Sequence, residues 1–278
     1  MFLKCLFRFT LCTFLAFATT SCRDDVVILD PEPKDFPSEG RIVKIIAHRG
    51  FWNTNGSCQN SLASIVKAAE IGADGVECDV RVTADGVLVV NHDPEYDGKT
   101  ISSTKYEDLN KTPLPNGEDL PTFKNYLRTI KEYPSLILFI EIKESKVLEQ
   151  LNDILIEEKV NNPIVYISFY KSVCDKLIKS DSRFRVQLLR SSGEFFYASQ
   201  LLKEGYYGIA YSYSLYNQHL DTVFDASYCG AVLTAWTLTE NSQYDWLFDH
   251  GFRFAITDNP KSLIELSYSN QKYWYKNE

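Results

Sequence analysis

The stretch IVKIIAHRG, residues 42–50, is an apolar, β-rich run that ends directly in His48, Arg49 and Gly50. Similar runs recur along the chain, separated by amphipathic patterns. Continuous apolar runs of this length are typical of strands buried on both faces of a parallel sheet. Eight main strands are predicted at 42–48, 75–82, 136–143, 164–169, 185–189, 207–212, 231–237 and 254–257, with a short extra strand at 87–92.

Helical patterns occupy the gaps between these strands. They lie at 60–71, 122–132, 146–159, 172–180, 194–204, 219–227, 241–250 and 261–268, and the pattern at 219–227 is the weakest. Strict alternation of strands and helices indicates parallel pairing with right-handed crossovers. Because about 240 residues is the usual length of a (β/α)8 barrel, we predict an α/β fold of the TIM-barrel type. A doubly wound open sheet is the alternative, but no glycine-rich dinucleotide loop follows any strand.

Polar side chains stand at the ends of the predicted strands, where the catalytic groups of a barrel lie. Residues two apart on a strand face the same side, so Glu77 pairs with Asp79, and Glu141 pairs with Lys143. The full set at strand ends or just beyond them is His48, Arg49, Glu77, Asp79, His92, Glu141, Lys143, Trp236 and Asp258. Their joint placement predicts one site built from several strands.

The residue types in this set suit metal-assisted chemistry on a phosphate ester. Three converging carboxylates repel one another and need a cation, and hard oxygen ligands favour Ca²⁺ or Mg²⁺ over Zn²⁺. Arg49 offers a planar fork for phosphate, and Lys143 could neutralise a carboxylate or hold a phosphate oxygen. The two histidines, His48 and His92, titrate at roughly pH 6.5 when unperturbed and could act as base and acid.

Each of these residues has a simpler explanation when it is taken alone. A strand-end histidine is usually structural, and Trp236 is as well suited to core packing as to a substrate wall. Asp258 could simply cap the helix that follows Pro260. Five tyrosines around the sixth strand are predicted to pack in the core rather than line a cleft, and His219 and His250 are taken as surface or structural residues. The tyrosines are Tyr206, Tyr207, Tyr211, Tyr213 and Tyr216.

The N-terminal region predicts export. Residues 1–21 combine a short basic start, an apolar stretch at 11–18 and small residues directly before Cys22, which resembles a bacterial lipoprotein signal. We therefore expect lipidation of Cys22 and a periplasmic or cell-surface protein anchored to a bacterial membrane, with plain secretion or an uncleaved anchor as alternatives. The proline-rich residues 22–40 are predicted to be a tether, and residues 41–278 the barrel domain.

The net charge and the spacing of the cysteines argue against nucleic-acid-binding, zinc-binding and redox proteins. The net charge of -8 argues against nucleic-acid binding, which needs clustered lysine and arginine, and no protein partner is implied. The cysteines after Cys22 match no zinc or redox spacing, so they are predicted to be small, unpaired, buried or half-buried residues. They are Cys58, Cys78, Cys174 and Cys229.

The chain resembles the glycerophosphodiester phosphodiesterases from about residue 42 to residue 264. The strongest blocks are IIAHRG at 45–50, QNS at 59–61 and GADGVECDVRVTADGVLVVNHD at 72–93. Supporting blocks are LPTF at 120–123, FIEIK at 139–143, LTAWTLTE at 233–240 and AITDNP at 255–260.

The resemblance implies a (β/α)8 barrel that hydrolyses glycerophosphodiesters to glycerol 3-phosphate and an alcohol. It implies His48 and His92 as the acid/base pair and Arg49 as a phosphate contact. It further implies Glu77, Asp79 and Glu141 as ligands of a divalent ion, commonly Ca²⁺ or Mg²⁺, with Lys143 in the same site and Trp236 in the substrate wall. A small insertion after the second strand, here about residues 94–120, would lie over the glycerol side.

One departure from the family pattern stands next to the first motif. The family usually reads Pro-Glu-Asn where this chain has Cys58, Gln59 and Asn60, so a neutral amide replaces an acid. Metal affinity or metal choice could differ as a result. Two other functions stay open: a phospholipase D-like or phosphoinositide-type phosphodiesterase acting on a larger lipid, and a lipid-anchored protein that binds phosphorylated headgroups without catalysis.

Overall fold

Eight parallel strands close into a barrel within residues 40–275, the part of the chain that the computed structural model describes. The strands, in chain order, are β1 (Lys44–Ala47), β2 (Gly75–Val82), β3 (Leu88–Val90), β4 (Glu95–Tyr96), β5 (Lys99–Thr100), β6 (Ile137–Ile142), β7 (Ile164–Ser168), β8 (Val186–Arg190), β9 (Gly208–Ser212), β10 (Val232–Leu238) and β11 (Phe254–Thr257). Strands β1, β2 and β6 to β11 form the barrel, which closes because β1 pairs with both β11 and β2. The predicted TIM barrel is confirmed, and the open-sheet alternative is wrong.

Ten α-helices occur in the described residues, and most of them cover the outside of the barrel. They are α1 (Leu62–Glu70), α2 (Tyr106–Leu109), α3 (Phe123–Ile130), α4 (Leu148–Glu158), α5 (Lys171–Ser180), α6 (Ala198–Lys203), α7 (Tyr213–Gln218), α8 (Leu220–Cys229), α9 (Asn241–Asp249) and α10 (Pro260–Ser269). The weakest predicted helix, at 219–227, is confirmed as α8. Helix α7 was not predicted; it begins directly after β9 because the Ser212 hydroxyl accepts a hydrogen bond from the Leu215 amide.

The alternation of side chains along each strand divides the core into two layers. Along β6, Leu138 and Ile140 face the helices, whereas Phe139 and Glu141 face the barrel interior. The interior layer contains apolar side chains from six strands, and the rings of Phe139 and Phe254 meet edge to face at 5.1 Å. This dry layer lies below Glu141, so the carboxylate sits at the upper limit of a water-excluding core.

The predicted insertion after the second strand is also confirmed. Strand β3 returns antiparallel to β2, and the chain then forms the β4–β5 hairpin and the short helix α2 before α3 begins. Four buried side chains hold the insertion together: Val89, Ile101, Leu109 and Leu120. The insertion has its own small apolar cluster, so it can carry a surface beside the barrel mouth.

Several smaller predictions can be compared with the structure. Tyr206, Tyr211 and Tyr216 are buried, which confirms core packing for the members of the tyrosine group that lie deepest. The four cysteines within residues 40–275 are unpaired, as predicted. None of the helices in that range is long and apolar enough to cross a membrane. The predicted signal segment, Cys22 and nearly all of the tether lie outside the described residues.

Candidate active site

Five of the charged or titratable residues predicted at strand ends line one cavity of about 150 Å³ at the C-terminal end of the barrel. They are His48, Arg49, Glu77, His92 and Glu141. Asp79 and Lys143 complete the group, because the Lys143 ammonium lies between the carboxylates of Asp79 and Glu141. Trp236 contributes to the opposite, apolar lining together with Phe169. The structure therefore brings the whole predicted set together, while the individual roles stay predictions.

The turn after β1 presents Arg49 to the acidic residues. Arg49 has φ 56°, a left-handed conformation that is uncommon outside glycine, and its backbone amide donates to Glu77 Oε2 at 2.9 Å. Gly50 follows with φ 75°, and a Cβ at this position would lie 2.1 Å from Ser64 Oγ. Only glycine allows this approach, which explains the glycine in the His-Arg-Gly motif.

Three buried carboxylates form the centre of the site. One oxygen from each of Glu77, Asp79 and Glu141 lies within 4.8 Å of the others. Asp79 and Glu141 are register partners on β2 and β6, and Glu77 precedes Asp79 on the same face. Glu77 is 2% exposed and Asp79 is fully buried. Sheet pairing thus places the three carboxylates close together, out of reach of bulk water.

Burial and mutual repulsion disturb the protonation of this cluster. Burial, and then the charges of Asp79 and Glu141, raise the pKa of Glu77 well above its ordinary value. Burial and the charge of Asp79 raise the pKa of Glu141 to about 7. Burial also opposes ionisation of Asp79, but the Lys143 charge and the Asn60 hydrogen bond outweigh it and lower the pKa of Asp79.

The balance of charge around the three carboxylates indicates whether a further cation fits the site. Lys143 Nζ donates to Glu141 Oε1 at 2.7 Å and lies 2.9 Å from Asp79 Oδ1, and Arg49 Nε lies 3.5 Å from Asp79 Oδ2. Three carboxylates therefore face two cations, and burial together with the repulsion between the carboxylates keeps the pKa values of Glu77 and Glu141 raised. A buried set of oxygen donors with excess negative charge is compatible with a divalent metal ion.

The Lys143 ammonium lies between two of the three carboxylates. These are the carboxylates of Asp79 and Glu141, and the Lys143 side chain is only 9% exposed. Burial opposes the charge, but the two carboxylates outweigh it and raise the pKa of Lys143. Lys143 is therefore a permanent counter-charge of the carboxylate cluster.

His92 lies at the edge of the cavity on the segment that follows β3. Its Nδ1 is 2.8 Å from Asp93 Oδ1, and its carbonyl oxygen accepts from Arg81 Nε at 2.9 Å and Nη2 at 2.6 Å. Burial and the nearby cations, chiefly Lys143, lower the pKa of His92 despite the opposing charge of Asp79. The lowered pKa favours the uncharged imidazole, and its Nδ1 is engaged by Asp93.

An aromatic wall closes the other side of the cavity. The rings of Phe169 and Trp236 meet edge to face at 5.4 Å, and Trp236 Nε1 donates to the Ala210 carbonyl at 2.8 Å. Since its polar atom is satisfied by the backbone, Trp236 offers the cavity an apolar surface.

The sequence analysis undervalued Asp258 and did not identify the roles of Asn60 and Arg81. Asp258 does not cap α10; its Oδ1 lies 2.7 Å from His48 Nδ1 and accepts from Trp52 Nε1 at 3.2 Å. Asn60 donates to Asp79 Oδ2 at 2.8 Å. The position of Asp258 directly after the eighth barrel strand was the available signal, because most of the other site residues also stand at or just after strand ends.

The fold and the site together define a (β/α)8-barrel phosphoric diester hydrolase, the predicted enzyme class. The chain belongs to the glycerophosphoryl diester phosphodiesterase family, whose model matches residues 48–262. The resemblance stated from the sequence is thereby confirmed.

Individual relatives agree with this assignment. The chain is 26% identical over 243 residues to a glycerophosphodiester phosphodiesterase of Caldanaerobacter subterraneus, covering 80% of this chain and 96% of that protein. A solved glycerophosphodiester phosphodiesterase from Parabacteroides distasonis is 34% identical, with a TM-score of 0.77 over 82% of this chain and 98% of that one. An Oleispira antarctica phosphodiesterase, solved with the product sn-glycerol-3-phosphate, shares the fold at 20% identity, with a TM-score of 0.72 over 82% of this chain and 97% of that one.

Proposed function

We propose that this protein hydrolyses glycerophosphodiesters to sn-glycerol 3-phosphate and an alcohol, with a divalent metal ion and two histidines. The observation that carries the proposal is the single cavity lined by His48, Arg49, His92, Glu77 and Glu141. Family membership supports the substrate class, and so does the product named for the Oleispira relative.

Binding of the phosphodiester rests on the cationic side of the cavity. The Arg49 guanidinium carries a fixed positive charge at the cavity lining and can donate to phosphate oxygens. Its backbone is held by Glu77, so the side chain starts from a defined position. The apolar wall of Phe169 and Trp236 faces the carbon chain of the bound substrate.

Proton transfer is assigned to the two imidazoles. Nδ1 of His48 is engaged by Asp258 and Nδ1 of His92 by Asp93, which leaves Nε2 of each ring for the reaction. One Nε2 takes a proton from the nucleophile, either water or the substrate's own neighbouring hydroxyl, as the new P–O bond forms. The other Nε2 gives a proton to the alcohol oxygen as the old P–O bond breaks. If the hydroxyl attacks, water then opens the cyclic phosphodiester by the same kind of proton transfer. Asp258 stabilises positive charge on His48 during this cycle.

The carboxylates Glu77, Asp79 and Glu141 would hold the divalent ion, and Ca²⁺ or Mg²⁺ suits an all-oxygen donor set. When bound, such an ion supplies electrostatic stabilisation of the negative charge on the phosphoryl oxygens. The chain orients these ligands through Asn60 and Lys143.

The decisive experiment measures sn-glycerol 3-phosphate released from deacylated glycerophosphodiesters, with chelator and after addition of Ca²⁺, Mg²⁺ or Mn²⁺. We expect release with a metal ion, loss with chelator, and a fall in kcat of about 10²–10⁴ for His48→Ala and for His92→Ala. Near-wild-type turnover in both variants would refute the histidine assignment. Faster cleavage of intact phospholipids would favour a phospholipase-type enzyme, and tight binding without product would favour a headgroup-binding protein.

We propose in addition that the barrel is carried on a lipid anchor at Cys22. The support is the basic start, apolar stretch and small residues before Cys22. Expression in a bacterial host should place the protein in the membrane fraction with a lipid-modified Cys22 detected by mass spectrometry. Cys22→Ser should release the protein from the membrane or leave it uncleaved, and an unmodified, cleaved wild-type protein would contradict the proposal.

A further inference from the structure

An open groove of about 740 Å³ adjoins the catalytic cavity on the side of the insertion. It runs between the loop after β1 and the insertion, and its wall includes Trp52 and Gln59 from the first and Asn91 and Tyr96 from the second. Its volume is several times the 150 Å³ of the catalytic cavity. The groove therefore has room for a group larger than glycerol.

Two hydrogen bonds and one chain adjacency connect this groove to the catalytic residues. Trp52 Nε1 donates to Asp258, which holds His48. Gln59 Oε1 accepts from Arg49 Nη1 at 2.6 Å. A group bound in the groove thus lies beside both the phosphate contact and the proton-transferring side of the cavity, and Asn91 directly precedes His92 in the chain.

The chemistry of the groove lining is uncharged and rich in hydrogen-bonding groups. None of the side chains that line it, all of them within the described residues, carries a charge. The amide and hydroxyl side chains of Asn53, Thr54 and Asn55 have no side-chain hydrogen-bond partner within residues 40–275, while Trp52 and Tyr96 add aromatic surface. Amide side chains can hydrogen-bond to the hydroxyl groups of a ligand. An aromatic face beside them can pack against the C–H groups of the same ligand.

Two carboxylates beside the groove do not change this picture. Asp97 Oδ2 accepts from Thr112 Oγ1 at 2.5 Å. Both oxygens of Glu118 are bonded to groups of the chain, namely the Leu62 and Ala63 amides and Asn116 Nδ2. These carboxylates keep their charge, but they lie outside the lining, which contains no charged side chain.

We propose that this groove binds the alcohol that leaves the phosphodiester, and that it selects an uncharged, polyhydroxylated headgroup such as a sugar or polyol. The inference rests on the proposed phosphodiesterase function and names its substrate class. In this proposal the insertion lies beside the leaving alcohol, whereas the resemblance to the family implies that the insertion covers the glycerol side. The small cavity against Phe169 and Trp236 takes the glycerol phosphate, because its volume suits a short group, and the larger groove takes the variable part.

The test compares kcat/KM for glycerophosphoglycerol and glycerophosphoinositol with kcat/KM for glycerophosphocholine and glycerophosphoethanolamine, on the metal-supplemented wild-type protein. We expect the uncharged polyol substrates to be favoured about tenfold or more. In the double variant Asn53→Ala/Asn55→Ala the preference should fall at least about 5-fold, mainly through KM, because each of the two lost hydrogen bonds is worth about 2- to 12-fold.

The control variant is Asn161→Ala, since Asn161 is an exposed asparagine before β7 at the opposite end of the barrel. It should leave the preference unchanged, and thermal unfolding should show that both variants are folded. Equal or higher kcat/KM for the choline diester, or an unaltered preference in the double variant, would overturn the headgroup proposal while the phosphodiesterase function stands. Absence of product from every diester with every metal ion would reject both.

Discussion

His48 and Asp258 are 210 positions apart in the chain, yet His48 Nδ1 lies 2.7 Å from Asp258 Oδ1. The pairing of β1 with β11 brings them together, since Ala47 is the register partner of Thr257. Closure of the barrel therefore assembles the hydrogen bond that orients one of the two proposed catalytic histidines.

This bond makes Asp258→Asn an informative change. The amide keeps the size of the side chain but removes the charge that stabilises a protonated His48, so kcat should fall about 10- to 100-fold, a part of the usual general acid–base contribution. KM should change much less, because the hydrogen bonds of Asp258 go to His48 and Trp52 rather than to Arg49. Steady-state kinetics, with the exposed Asp249→Asn as control, measures this; an unchanged kcat would show that the bond has no part in catalysis.

Arg81 is predicted to be a positioning residue for His92. Its guanidinium donates twice to the His92 carbonyl oxygen, which fixes the backbone of the segment that carries the imidazole. Arg81→Met should lower kcat about tenfold, since small misplacements of a catalytic group cost at least that much.

The variant Arg81→Lys distinguishes the positioning role of Arg81 from a role of its charge alone. Arg81→Lys keeps the positive charge but loses the two-pronged geometry, so it should restore little of the activity lost in Arg81→Met. Full recovery in Arg81→Lys would mean that charge alone matters at this position.

Gln59→Glu restores the acid that is usual in the family. A carboxylate bonded to Arg49 in place of the Gln59 amide would neutralise part of the charge that attracts phosphate. We expect KM for the diester and the inhibition constant for inorganic phosphate to rise about 2- to 10-fold, with the larger effect at low salt because the pair is exposed.

Gln218→Glu on α7 is the matched control, because it adds the same charge at another exposed position. If both variants shifted KM equally, the effect would come from net charge rather than from Arg49. If neither shifted KM, Arg49 would not be the phosphate contact.

Removal of Lys143 should expose the repulsion within the carboxylate cluster. Lys143→Met leaves Asp79 and Glu141 without their buried counter-charge, and breaking such a pair costs about 3–5 kcal/mol of unfolding free energy. Lys67→Met breaks the exposed pair with Glu70 and should cost about 1 kcal/mol or less. Denaturant unfolding in the presence of chelator measures the free energy of unfolding of both variants. Equal losses in the two variants would contradict the idea that burial makes the Lys143 pair important.

The metal-free protein should become less stable as pH rises because of Glu141. The pKa of Glu141 is about 7 in the folded protein, and we take the ordinary value of 4.5 for the unfolded chain. The folded form therefore holds this proton more tightly than the unfolded form. A carboxyl with a raised folded pKa contributes stability that is complete below pH 4.5 and is lost as pH rises through about 7.

Thermal unfolding in chelator from pH 5 to pH 8 checks this dependence. Relative to Glu141→Gln, the wild-type protein should lose about 5–10 °C across the range, which corresponds to about 2–4 kcal/mol. Addition of Ca²⁺ or Mg²⁺ should remove the difference, because a bound cation favours the ionised carboxylates. The same slope in the variant would assign the effect to other groups, such as His92.

Much of the fold could be predicted from the amino-acid sequence. Strand β2, for example, was predicted with the bounds that the structure shows, because its valines form a β-rich run that begins after Asp74 and ends before Thr83. Helix α7 was not, since it begins directly after β9 at a serine cap, with no connecting loop to mark it. The site residues, Asp258 among them, were identified because they follow strands. The partner of Asp258 and the role of Arg81 were not, because local spacing cannot show what a side chain bonds.

The sequence by itself determined the barrel, the family and the set of polar residues at the mouth, because side-chain alternation and chain length constrain where each can lie. Only the tertiary structure decided that Lys143 is bound to Asp79 and Glu141, that Asp258 holds His48, and that an uncharged groove adjoins the cavity. These relationships depend on strand register and barrel closure, which bring distant segments within hydrogen-bonding distance, and on loops whose conformations depend on packing as well as on local sequence.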